Sequence, residues 1–318
     1  MSMMMDTETR AAYLKEMQEK YMQAVHEVID VIKKDVNVIA IVIQGSLTND
    51  VVWEKSDIDT TVIVRDQKIE VSEFCIDQDD IAFNIHVMER SKFVRMLERT
   101  SGASIGHSFY AKAEMMYTTD SSLKQMLEDS RAVGEKDAER SALFIAGDIV
   151  ALMEKCQKWL YIKEDCTYCK YYILKAAEAI AAFEICIAKE SPSREAIQRA
   201  HTLNPELMEK FYYRPINEEL DKAELEKLIN GIDEYLMKHI DVISREILDF
   251  LSDGELKTVH MITRHFRASG HFFVHILDYF CSKGLLEKAS QTVRLTPKSR
   301  PNLEEIAYIL IKDDSFMM

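Results

Sequence analysis

Glycine and proline are scarce in this chain, 9 and 5 in 318 residues, and no proline occurs before Pro192. The first half therefore lacks the residues that end or kink helices, and long helices can run uninterrupted. No apolar run approaches about 18 residues, and the N-terminal MSMMMDTETR has no apolar stretch of the signal-peptide kind. Neither a membrane span nor a secretion signal is expected. The six cysteines are scattered at 75, 156, 166, 169, 186 and 281. Cys166 and Cys169 form a lone C-x-x-C with no second pair or histidines at zinc spacing, so unpaired thiols in a reducing cytoplasm are expected. Excess basic charge is lacking too. The net charge of -14 excludes a chain that binds nucleic acid over its whole surface.

What is present is ordinary hydrophobic content, 47%, enough for a sizeable core. The length suggests about two or three domains. Residues 7 to 34 read as one amphipathic helix, with Leu14, Met17, Tyr21, Ala24, Val28 and Ile32 at spacings of three and four. The period then changes. NVIAIVIQ reads as a buried strand ending at Gly45, DIDTTVIVRD as a second and IAFNIHVME as a third. KFVRMLERT returns to helical spacing. SGASIGHS (101–108) reads as a loop, and Ser104, His107 and Ser108 are substrate-contact candidates or parts of an ordinary connector. EMMYTTD is a short strand and SSLKQMLEDS a helix. Strands mixed with helices over about 130 residues predict an α/β or α+β domain.

From about Asp137 the pattern is helical. Two long apolar-striped segments lie on either side of IKED, and Asn204-Pro205 reads as an N-cap with proline in the first turn. The helix-start segment IKEDCTYCKYYILK lines a substrate cleft or is a solvated helix face. Near 252 the grammar changes again to helix, helix, strand, turn, strand, which is the order of a winged helix. The expected domains are 1–130, 131–251 and 252–318. Between Asp253 and Pro301 eight Lys/Arg oppose four acids, and four histidines (260, 265, 271, 275) add to them. Arg294, Lys298 and Arg300 in the wing make residues 253–301 a DNA-binding candidate, with protein contact or dimerisation as the other use.

The chemistry concentrates in IVIQGSLTNDVVWEKSDIDTTVIV, residues 41–64. Asp57 and Asp59 are two apart in a strand and should share one face. Two carboxylates about 4 Å apart repel by roughly 1 kcal/mol in water and about 4 kcal/mol at an effective dielectric near 20. A shared divalent cation reverses that sign. Mg²⁺ takes one or two carboxylates and fills its other positions with water and phosphate oxygens. Upstream, Gly45 allows close backbone approach, Ser46 offers a hydroxyl, and a helix start beyond would offer free N–H groups, together a phosphate seat. Phosphate seat plus metal carboxylates fits phosphoryl or nucleotidyl transfer.

Gly45-Ser46, ten residues, then Asp57-Ile58-Asp59, with a strand before and an apolar run after, resembles the DNA polymerase beta-like nucleotidyltransferase superfamily. Within it the minimal and aminoglycoside-type transferases look most alike, over about residues 36–130. The resemblance implies an α+β fold: a mixed nucleotidyltransferase-type sheet with helices, then a helical substrate-binding bundle, then a small winged helix. It implies that Asp57 and Asp59 bind Mg²⁺ with ATP or another nucleoside triphosphate. Gly45 and Ser46 would seat phosphates, and AMP would pass to a hydroxyl of a small molecule entering between the first two domains. A third carboxylate on a later strand often completes such sites. Here IAFNIHVME offers Asn84 and His86 on that face instead. The proton acceptor is left open between His86, Glu89 and a glutamate of the helical part such as Glu178 or Glu184. The alternative is a chain that has lost catalysis and senses a nucleotide or ligand, binding DNA through its winged helix. The tandem arrangement also looks like a bacterial nucleotidyltransferase-like group.

Overall fold

The computed structural model describes residues 6–45, 47, 52–99, 113–130, 135–268, 270–296, 298, 300 and 302–311. Contacts divide the chain into two compact units, 1–134 and 135–318.

The first unit is built on a five-stranded mixed sheet. Helix α1 (Thr7–Ile32) starts at Asp6, whose side chain accepts from Thr9 N at 2.8 Å. Strands β1 (Val38–Gln44) and β2 (Ile58–Val64) follow, then β3 (Glu73–Gln78) and β4 (Ile81–Glu89). The β3–β4 hairpin turns at Asp79 and Asp80, both at positive φ (54° and 61°), a tight hairpin geometry that Asp tolerates. Helix α2 (Arg90–Arg99), β5 (Glu114–Thr118) and α3 (Ser121–Asp129) complete the unit. The strand order is β3-β4-β2-β1-β5. Only β2 and β4 are parallel; the other pairs are antiparallel.

Strand alternation divides the sheet into two faces. On one, Ile41, Ile43, Ile58, Val62 and Phe83 pack with Tyr21, Val25 and Val28 of α1. On the other, Ala40, Val42, Ile63 and Met88 pack with Phe93 and Leu97 of α2 and Leu123 and Leu127 of α3. Beyond these helices the second face turns polar. Gln44 of β1, Asp59 of β2, Asn84 of β4 and Cys75 of β3 are successive register partners, a polar row across four strands. Strand β3 has no counterpart in the sequence reading. It is a short sheet edge with almost every residue exposed, and the alternation of Phe74 and Ile76 with Glu73, Cys75 and Asp77 covers too few positions to mark a buried face.

The second unit is α4 (Glu135–Gln157), a π-helical turn (Lys158–Ile162), α5 (Cys166–Ile187) and α6 (Ala196–Leu203). Next come α7 (Pro205–Met208), a second π-helical turn (Glu209–Tyr213), α8 (Arg214–Asn217), α9 (Lys222–Lys238) and α10 (Ile240–Leu251). Asn204 caps α7 by accepting from Leu207 N at 3.2 Å, with Pro205 in the first turn. Asp221 and Glu224 form a reciprocal capping box at α9. The chain ends in β6 (Lys257–Thr258), α11 (Val259–Phe266), α12 (Gly270–Ser282), β7 (Leu286–Val293) and β8 (Leu303–Leu310), in a three-stranded sheet of order β6-β8-β7. One continuous core runs from Ala142 of α4 through Phe183, Phe211 and Ile247 to Phe273, Phe280 and Tyr308. No helix among the described residues is long and apolar enough to cross a membrane. The six cysteines are free thiols.

Candidate active site

The site begins where β1 ends. Gly45 follows the strand at φ +87°, a left-handed conformation that glycine alone adopts without strain. A Cβ there would lie 3.0 Å from Asp59 Oδ2. Gly45 thus turns the chain and lets it pass against the carboxylate. Ser46 and the helix start expected after it lie outside the described residues, as does the loop at 101–108.

Asp57 is exposed just before β2, and Asp59 is half-buried within it. Both carboxylates converge on one nitrogen: Asn84 Nδ2 donates to Asp57 Oδ2 at 2.8 Å and to Asp59 Oδ1 at 3.2 Å. The shared face expected from their spacing is what the geometry displays. Asn84 is the direct register partner of Asp59 on parallel β4. The residue on the later strand that faces the pair is therefore an amide. Its other atom, Oδ1, accepts from Cys75 Sγ at 3.5 Å, within the longer range for sulfur.

An open cavity of about 510 Å³ lies over this row, lined among others by Gln44, Asp59, Asn84, Glu73, His86 and Met96. Gln44 is buried, and its Nε2 has no hydrogen-bond partner among the described residues. A buried amide left in that state costs about 1–3 kcal/mol unless something in the cavity accepts from it. His86 is two residues beyond Asn84 on the same face, with its Nδ1 3.9 Å from Glu73 Oε1. Glu89 is not near the pair. It is the register partner of Val64, five positions along β2 from Asp59, roughly 16 Å. It is also ion-paired to Lys92 at 2.7 Å, which holds its pKa below the usual carboxylate range. In the second unit Glu184 is engaged by Tyr235 and Asn204, and Glu178 is exposed.

The loop entering β2 is held from behind. Tyr21 of α1 is buried, and its hydroxyl lies 2.9 Å from the carbonyls of both Trp53 and Ser56. Ser56 N in turn donates to Trp53 O at 2.9 Å, closing the turn that delivers Asp57. Burial is the main cause that pushes the Tyr21 phenol above its ordinary pKa. The sequence pattern offered Tyr21 only as one member of a helical stripe. Gln44 left a clearer signal, a polar residue ending an otherwise apolar strand.

Asp59, which lines the cavity, and Asp57, which meets it at Asn84 Nδ2, make a carboxylate pair that fits Mg²⁺, which needs only one or two from protein. Among the described residues no group of three or more His, Cys, Asp or Glu side chains gathers as a metal site. Among the described residues the donor set is thus a pair.

The basic carboxy-terminal segment is partly neutralised. Lys257 pairs with Asp253 and Glu255, Lys283 with Asp233 and Lys288 with Asp278. Arg264, Arg267, Arg294, Lys298 and Arg300 are exposed with no ion pair among the described residues. Helix α12, the one that would enter a groove of DNA, carries no Lys or Arg. It packs on α4: Phe273 meets Phe144 edge-on at 5.9 Å, and His275 Nδ1 lies 2.8 Å from Glu154 Oε2.

No protein-family model matches the chain, and no curated protein sequence does. Solved structures do. One is a nucleotidyltransferase-like protein from Exiguobacterium sibiricum 255-15, at a TM-score of 0.64 and 12% identity, covering 91% of this chain and 99% of that one. At that identity the likeness concerns the fold: this chain is an α+β protein with a nucleotidyltransferase-like fold.

Proposed function

We propose that this chain is a metal-dependent nucleotidyltransferase that moves a nucleoside monophosphate, AMP from ATP in the simplest case, to a hydroxyl of a small molecule. The observation that carries the reading is the convergence of Asp57 and Asp59 on one point beside the Gly45 turn. Carboxylates gathered at a glycine turn suit a phosphate-bound divalent cation, which takes one or two of them. Asp57 and Asp59 would hold Mg²⁺, which when bound neutralises charge on the phosphates. Gly45 and Ser46 would seat the phosphates that leave as pyrophosphate. Gln44 Nε2, buried without a partner, is a donor available to a phosphate or ribose oxygen in the cavity.

The test is incubation with Mg²⁺ and labelled ATP plus a panel of hydroxyl acceptors. Asp57→Asn and Asp59→Asn should each lower transfer at least about 10³-fold, some 4 kcal/mol of barrier. Near-normal turnover by both variants would sink the mechanism.

A second reading keeps nucleotide binding without transfer: a nucleotide- or ligand-sensing regulator that binds DNA through residues 253–301, whose elements follow winged-helix order. One observation favours it, the amide of Asn84 where a third carboxylate is sought. Burial of α12 against α4 weakens its DNA half. DNA binding would then rely on Arg294, Lys298 and Arg300 and fall steeply with salt. Salt-sensitive, sequence-selective DNA binding without transfer would establish this reading over the first.

A further inference from the structure

The polar face of the sheet carries a second cross-strand pair. Glu73 and His86 are direct register partners on antiparallel β3 and β4, one row beyond Cys75 and Asn84. Both line the cavity that Asp59 lines. Their side chains are 83% and 45% exposed, so each is open to a molecule in the cavity. His86 turns Nδ1 toward Glu73, with Oε1 3.9 Å away, and this leaves Nε2 for another partner. Two residues along a strand span roughly 7 Å, so the imidazole stands about that far from the Asp59–Asn84 row.

We infer that His86 and Glu73 together form the proton-accepting pair of this cavity. His86 takes the proton of the attacking hydroxyl, and Glu73 positions the ring and stabilises the imidazolium that forms. The inference rests on the transfer reading above. It supplies what the amide at Asn84 cannot, since a neutral carboxamide accepts no proton near neutral pH. In the step, the acceptor oxygen bonds to the α-phosphorus and the bond from that phosphorus to pyrophosphate breaks. Pyrophosphate leaves with the electron pair, and the hydroxyl proton passes to His86 Nε2. Glu73 then acts on His86 as a carboxylate acts on an imidazole base, by accepting from Nδ1–H and fixing the tautomer. A separation of 3.9 Å closes to a hydrogen bond by a small side-chain movement, and catalytic hydrogen bonds are often long before substrate binds. Around His86 the other titratable groups lining the cavity are Asp59 of β2 and Cys75 of β3, while α2 contributes only the neutral Met96 among the described residues.

The test uses the full chain with Mg²⁺ and labelled ATP, water serving as the acceptor, and follows AMP release. His86→Ala should lower release at least about 10²-fold, the low end for a positioned base, with ATP binding changed less than twofold by calorimetry. Added imidazole should restore part of the loss. Glu73→Gln should lower release about tenfold, and should add nothing in the His86→Ala background. Unchanged thermal melting of these surface variants excludes misfolding. Normal release by His86→Ala, failure of imidazole to rescue, or additive losses would each overturn the pair while leaving the transfer reading standing, provided Asp57→Asn is inactive. A wild-type chain that passes AMP neither to water nor to any hydroxyl of the acceptor panel would overturn both.

Discussion

Asn84 faces Asp59 across the parallel strands β2 and β4, and its Nδ2 donates to Asp59 Oδ1 at 3.2 Å while also reaching Asp57 Oδ2 at 2.8 Å. One amide hydrogen-bond donor group therefore offsets the repulsion of two carboxylates. This relationship makes Asn84→Asp informative. A third carboxylate there removes the donor and adds like charge. Without Mg²⁺ the variant should melt several degrees lower than the parent, consistent with about 1–3 kcal/mol lost. With millimolar Mg²⁺ its melting temperature should rise more than the parent's does, because the added carboxylate strengthens cation binding. A Mg²⁺-independent melting curve in both proteins would argue against a metal at this point.

Gly45→Ala probes the turn from the other side. The position has φ +87°, and the new methyl would sit 3.0 Å from Asp59 Oδ2. Strain of that kind costs of order 1–3 kcal/mol. The expected outcome is a lower urea midpoint together with weaker Mg²⁺·ATP binding, since Asp59 must give way. Stability within about 0.5 kcal/mol of the parent, measured by urea unfolding, would show that the backbone relaxes without disturbing the carboxylate.

These two residues also show where the sequence was informative. The glycine, the two aspartates and the apolar strands around them have a fixed spacing with a chemical reason, so the sheet centre and part of the candidate site could be read from the sequence. Strand β3 could not. Its Phe74 and Ile76 alternate with polar residues over too few positions to stand out, and Glu73 came into view only through its register with His86. Tyr21 was hidden for a related reason. Its ring obeys the helical stripe, while its hydroxyl serves a loop more than thirty residues away. The amide at Asn84 was readable, but that it bridges both carboxylates is a matter of geometry alone.

Tyr21→Phe separates those two duties of the tyrosine. The ring stays packed, and the hydroxyl shared by the carbonyls of Trp53 and Ser56 is lost. A net loss of about 1 kcal/mol is expected. Because the loop carries Asp57 into place, amide hydrogen exchange at residues 53–57 should accelerate while exchange in β1 and β4 stays slow. In transfer assays the variant should lose turnover more than nucleotide affinity. Unchanged exchange in the loop would remove Tyr21 from the site's support.

His239 should give the second unit a pH-dependent stability. It is half-buried and packs edge-on to Phe183 and Tyr235, at 5.5 and 5.0 Å between ring centroids. Burial lowers its pKa below the ordinary 6.5, outweighing the opposing pull of Glu184. A histidine held neutral in the folded state binds fewer protons than the unfolded chain once pH falls below the unfolded value. Its contribution is therefore complete above about pH 6.5 and declines as pH falls from there to the lower folded pKa. Urea midpoints should thus be lower at pH 5 than at pH 7.5, and His239→Gln should narrow that difference. The site aspartates lie in the other unit, so Mg²⁺ should leave this part of the pH dependence in place. Equal pH sensitivity in parent and variant would assign the effect to other groups.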